Sequence, residues 1–223
     1  MKETYDNQFS QIENLKWNPF IGDQFDNEKS LLIIGESHYH DGSQASMDNV
    51  DKNDWSRTMV DDSIEGTHTS LFKPLFKLLS NNENISLDPN QLWSKSAFYN
   101  FIQNPMGGVK HRPAYEDFYK SCYVFFDIIK LLKPSKCLFL GVAAYQAILD
   151  VIDEEKYPWE IKYEKYIDKI NGTFPRKLII SGLIEKPLEL HFIKHSSSRF
   201  TPDLWRDHLL KDLPKEMSYL ADK

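Results

Sequence analysis

Four short apolar runs punctuate the chain, and each leads into a glycine or a polar cluster. They are Leu31–Ile34 before Gly35, Ser96–Ile102, Cys137–Leu140 before Gly141, and Leu188–Ile193. Runs this short, rich in β-branched and aromatic residues, predict strands buried on both faces. Between them the hydrophobic period lengthens to that of a helix. Leu71, Leu75, Leu78 and Leu79 share one helical face, with Pro74 expected in the first turn, where proline is tolerated. Phe118, Cys122, Phe125, Ile129 and Leu132 form a second stripe, which Pro134 ends. VAAYQAILDVI continues from Gly141 as a third helix. A last helix opens with Thr201 as N-cap, Pro202 as first residue and Asp203 placed to suit the helix dipole.

This alternation predicts an α/β fold, three-layer α/β/α, with a mainly parallel sheet of about four strands. A single domain is expected over residues 1–223. Residues 1–29 are polar with scattered aromatics and read as a short helix or irregular arm. The acidic, weakly periodic stretch 41–66 reads as helix and loop over the upper edge of the sheet. Residues 153–185 are charged, alternate in part and contain Asn171-Gly172, which predicts an inserted hairpin or ribbon.

At 223 residues and 41 % hydrophobic, the chain can bury a sizeable core without covalent staples. Its two cysteines, Cys122 and Cys137, fall in apolar surroundings and read as reduced core thiols. They are too few to hold an iron–sulfur cluster. The opening residues lack the apolar stretch of a signal peptide, and no run is long enough for a membrane span. The expectation is therefore a cytoplasmic monomer with no membrane contact and no cofactor. A net charge of −6 argues against a broad basic face for nucleic acid. A narrow positive groove stays open, because Lys110-His111-Arg112 and Lys194, His195 and Arg199 make two local basic patches in loop-like sequence.

The polar clusters at 36–40, 100 and 195–199 fall at or near the carboxyl ends of predicted strands, where open α/β sheets place their ligands. They can converge on one crevice. Asn100 interrupts an apolar run, so its amide requires a partner. His38 and His40 with Asp41 also form an H-x-H arrangement that a metal-dependent hydrolase would use, given further ligands from elsewhere. A nucleophile elbow is not present, since the second glycine after G-E-S-H-Y is missing. Gly107-Gly108 lacks the lysine of a phosphate cradle.

Taken in order, these clusters resemble the uracil-DNA glycosylase superfamily. Gly35-Glu36-Ser37-His38-Tyr39-His40 is similar to the family's first motif. Ala97–Asn100 resembles the strand that ends on a base-reading asparagine, and Lys110-His111-Arg112-Pro113 resembles the basic loop that follows. LLKPSKCLFLGVAAYQAIL, residues 131–149, is the closest match. His195-Ser196-Ser197-Ser198 resembles the second motif. The chain departs from the pattern at His38 and Ser196, where proline is usual, and at Ser37, where the family has aspartate or asparagine.

The resemblance implies cleavage of an N-glycosidic bond to uracil or another deaminated or modified base flipped out of DNA. It implies catalytic roles for Glu36, Ser37 and His195. Tyr39 and Asn100 would bind the base, with Phe72 or His68 stacking on it. Ser197, Ser198, Arg199, Lys110 and Arg112 would hold phosphate, and DNA would be the partner. A module that keeps the fold and binds nucleic acid or protein without catalysis is the alternative.

Overall fold

The computed structural model describes residues 1–67, 69–80, 86–108 and 111–222. Its centre is a mixed sheet, and its strands in chain order are β1 (Phe20–Ile21), β2 (Leu31–Tyr39), β3 (Ala97–Met106), β4 (Lys136–Leu140), β5 (Glu160–Lys165), β6 (Arg176–Ser181) and β7 (Leu188–Ile193). They lie side by side as β1-β3-β2-β4-β7-β6-β5. The α/β class holds, but the sheet is larger and more mixed than expected. Strands β3, β2, β4 and β7 are mutually parallel, while β1 adds antiparallel at one edge and β6 and β5 add antiparallel at the other. Residues 153–185 thus do contain a hairpin, and it extends the main sheet instead of standing apart from it.

Alternation along each central strand divides the core into two layers, as a side-chain period of two requires. Leu32 and Ile34 of β2 and Cys137 and Phe139 of β4 pack with the apolar faces of α6 (Tyr115–Leu132) and α7 (Ala144–Glu154). Leu31, Ile33, Leu138 and Leu140 pack on the other side. That side is covered by α3 (Trp55–Ile64), α4 (Thr69–Leu78), α5 (Pro89–Ser94), α8 (Pro202–Asp212) and α9 (Pro214–Ala221). The N-terminal arm contains α1 (Asp6–Phe9) and is pinned to α3 by Arg57, whose Nη1 donates to Asp6 Oδ2 at 2.9 Å. Residues 41–66 form α2 (Gln44–Val50) and α3. Cys122 and Cys137 are both free and buried, and burial pushes both thiols up from their ordinary range.

Two local expectations need correction. Pro74 lies in the middle of α4 rather than in its first turn, where it removes one rung of helix hydrogen bonding. The burial of Phe72, Leu75, Phe76 and Leu78 on the same helix offsets that loss. Thr201 does precede α8, with Pro202 first, but its side chain makes no capping bond.

The order of connections positions the site. From β2 the chain crosses to β3 over the α3–α5 layer, then returns past β2 to β4 over α6 on the opposite face. Opposite faces for opposite directions keep both crossovers of one hand. The reversal opens a crevice between the carboxyl ends of β2 and β4, at Gly35-Glu36 and Gly141. Among the described residues, no helix is long and apolar enough to cross a membrane.

Gly35 faces Asn100 across the β2–β3 ladder, and a Cβ added there would collide with Asn100 Oδ1. Gly35→Ala is expected to destabilise the protein by about 1–3 kcal/mol, the usual cost of overpacking. Adding Asn100→Ala to the same chain should recover most of that loss in denaturant unfolding. Strict additivity of the two changes would show that the contact is not the cause.

Candidate functional site

Glu36 stands at the switch point of the sheet. Residues three apart on a regular strand face opposite ways, yet Tyr39 reaches back to Glu36. The β2–β3 register slips here, with Ser37 opposite Ile102 but Tyr39 opposite Met106, and the turned strand end allows the contact. The Tyr39 hydroxyl donates to Glu36 Oε1 at 3.1 Å. Arg112 Nη1, from the loop before α6, lies 3.4 Å from both that oxygen and the Tyr39 hydroxyl. The hydrogen bond to Tyr39 and the nearby Glu36 carboxylate together raise the Arg112 guanidinium above its ordinary value. Glu36 Oε2 lies 3.7 Å from where a Gly141 side chain would begin, an ordinary contact distance, and it is the φ of 142° that calls for glycine there. The cleft beside it, lined by Ile34, Phe101, Phe118, Phe139 and Ala144, has a volume of only about 10 Å³, room for about one water.

His195 enters from the loop after β7. The Ser197 backbone N–H donates to its Nδ1 at 3.3 Å, and Ser197 Oγ lies 2.8 Å from the same atom. A backbone N–H can only donate, so Nδ1 is the acceptor and Nε2 carries the proton of the neutral ring. Burial lowers the His195 pKa below 6.5; the Glu36 carboxylate opposes that shift and the Arg112 guanidinium adds to it. Tyr39 and Arg112 meet at Glu36, and the charges of Glu36 and Arg112 reach the His195 imidazole, which itself contacts Ser197.

Other expected site residues fall elsewhere. Phe98 and Asn100 point toward the α3–α5 side of the sheet, and Asn100 is 1 % exposed. Its Nδ2 lies 3.7 Å from the Met59 sulfur on α3, so the amide is covered in this conformation and does not open into the crevice. Phe72 is not available to stack on a base. It is 1 % exposed and packs edge-on against Trp93 and Phe98 in the core. Ser37 is buried beside Glu36, and its Oγ has no hydrogen-bond partner. Ser197 is engaged with His195, the Ser198 N–H donates to the His195 carbonyl, and Arg199 is exposed. Arg112, read as a phosphate contact, turns onto Glu36 instead. His68 and Lys110 lie outside the described residues.

The H-x-H pair does not converge. His38 stacks on Trp55 with ring centroids 4.4 Å apart and lies edge-on to Trp17, with Nε2 at 3.1 Å from Ser56 Oγ. His40 belongs to the loop that pairs with Met106. Among the described residues no group of three or more histidines, cysteines and carboxylates is placed to hold a metal ion. Sequence reasoning missed Met59 and the contact between Arg112 and Glu36. Met59 sits in a segment of weak periodicity, and Arg112 meets a partner 76 positions away.

No protein-family model matches the chain, and no curated protein matches it.

The electrostatics make an opposed pair of predictions, readable by NMR titration of the His195 ring. In the wild type its midpoint should fall below 6.5. Glu36→Gln removes the charge that raises it and should lower the midpoint further, whereas Arg112→Ala should raise it. Shifts of the same sign in both variants would place His195 away from one of them.

Proposed function

We propose that the protein is a DNA glycosylase-like hydrolase that releases uracil or another deaminated or modified base from DNA. The observation that carries this reading is the pairing, across the switch-point crevice, of an acid with a neutral imidazole whose tautomer is fixed. Breaking an N-glycosidic bond leaves a cationic, oxocarbenium-like sugar and an anionic base. Such a reaction needs negative charge at the sugar and a donor at the base.

In this reading Glu36 stabilises the sugar cation and, with the buried Ser37 hydroxyl, orients the attacking water. His195 donates its Nε2–H to an oxygen of the departing base. A ring kept neutral by burial is suited to that role, because a protonated ring would form an ion pair with Glu36 and neutralise the charge the sugar needs. Tyr39 lines the cleft next to the acid. Arg112 holds Glu36 in the free protein and would exchange that contact for a backbone phosphate when DNA binds. Met59 would have to shift before Asn100 could read a base.

The covered Asn100 amide and the serine at position 37 favour a second reading, a module on the same fold that binds nucleic acid or protein without catalysis. One assay separates the two. Oligonucleotides carrying uracil, hypoxanthine, xanthine or modified cytosines are incubated with the protein, and abasic sites are then cleaved with alkali. Strand scission is expected, with the rate falling about 10²–10³-fold in His195→Ala, as for loss of a preorganised donor. Glu36→Gln should also be impaired. The rate should hold as pH drops to the lowered His195 pKa and decline below it. Scission that both variants retain would refute the assigned roles, and binding without scission would favour the module.

A further inference from the structure

We infer that the Asn171-Gly172 turn is the positioning device for His195, acting from outside the parallel sheet. The inference rests on the proposed function only in naming His195 as a working group. The connection between β5 and β6, residues 166–175, contains a two-residue turn in which Asn171 has φ 49° and Gly172 φ 80°. Ile170 and Thr173 exchange backbone hydrogen bonds of 2.9 and 3.0 Å across it. Two consecutive positive φ values define the turn class that favours Asn-Gly, since asparagine tolerates the left-handed region and glycine is unstrained there. Ile170 packs against the core layer on the α8 side, which seats the turn.

From that seat a single residue grips both ends of the loop that carries His195. The Asn171 carbonyl accepts from Lys194 Nζ at 2.8 Å, directly before the histidine. The Asn171 Oδ1 accepts from the Thr201 backbone N–H at 3.1 Å, where the loop enters α8. Between these ends, Ser196 Oγ donates to the Leu71 carbonyl at 2.9 Å and ties the loop to α4. Arg199 sits at φ 45°, a conformation that non-glycine residues keep only where surrounding structure enforces it. Thr201 supplies no capping bond of its own; its backbone N–H is taken by Asn171 Oδ1, while Asp203 in the first turn of α8 accepts from Lys77 Nζ at 3.2 Å. With both ends held, the Ser197 N–H can stay on His195 Nδ1 and the ring keeps its setting within reach of the Glu36 and Arg112 charges.

Asn171→Gly isolates the side-chain contribution. Glycine accepts the positive φ and keeps the carbonyl that Lys194 uses, so the hairpin survives and only Oδ1 is lost. Two measurements without substrate decide the matter. Amide hydrogen exchange at Thr201 should accelerate by about tenfold or more once its acceptor is gone. The His195 titration midpoint, assigned by its loss in His195→Gln, should rise toward 6.5 as the loosened ring gains solvent. A midpoint unchanged in Asn171→Gly, whatever Thr201 does, would reduce the turn to a structural tie and overturn the inference. Neither readout depends on base release, so an inactive wild type would count against the proposed chemistry and leave this result standing.

Discussion

The double pairing of β2 is the constraint on which the site depends. This strand is hydrogen-bonded to β3 on one edge and β4 on the other, and helices cover both its faces. A strand enclosed on four sides cannot slide or tilt without breaking two ladders and two apolar layers. Leu31–Ile34 are therefore a fixed platform from which the carboxyl end, residues 35–39, runs on, paired with β3 alone. Because the chain reverses direction around β2, no crossover seals the space above that end, and Glu36 is held at 15 % side-chain exposure in the gap. Two glycines stand beside the carboxylate for different reasons: Gly35 yields space to Asn100, and Gly141 adopts a positive φ.

The elements that the sequence revealed most clearly are those whose burial is one-dimensional in character. Leu31–Ile34, Cys137–Leu140 and Leu188–Ile193 are continuous apolar runs because both faces are covered, and the α6 stripe is regular because a single face meets the sheet. β1 has only two residues and exists because β3 offers an edge. A pattern that short carries no period. α9 begins directly after Leu213, and its burial was not separable from that of α8. The hairpin was legible from its turn and alternation, but its attachment to β7 was not, because pairing between strands leaves no local mark.

The site was legible in the same graded way. Glu36 and His195 could be assigned to one end of the sheet from the rule that strand ends converge, and they stand at the carboxyl-end segments of β2 and β7. The fate of Asn100 could not be read, because its covering atom comes from Met59, 41 positions earlier. Phe72 shows the converse difficulty. An aromatic on an amphipathic helix has the same local sequence whether it faces a pocket or a core, and here Trp93 and Phe98 decide for the core. Arg112 carries a basic residue's usual promise of phosphate contact, and in the free protein it reaches Glu36 while staying largely exposed.

The α8 helix is held at its two ends by unlike means. Its start meets the Asn171 amide, while its last turn meets a network in which Lys177 lies within 3.9 Å of Asp212 and 3.5 Å of Glu189. Since the hairpin that supplies both Asn171 and Lys177 is peripheral to the parallel strands, the acid–imidazole pair has an adjustable support and a rigid one. Asn171 is half-buried and Gly172 exposed, so change can accumulate at the turn while Leu178 and Ile180 of β6 stay in the packed interior. A lineage can thus retune its histidine through a surface turn while its carboxylate stays where the sheet put it.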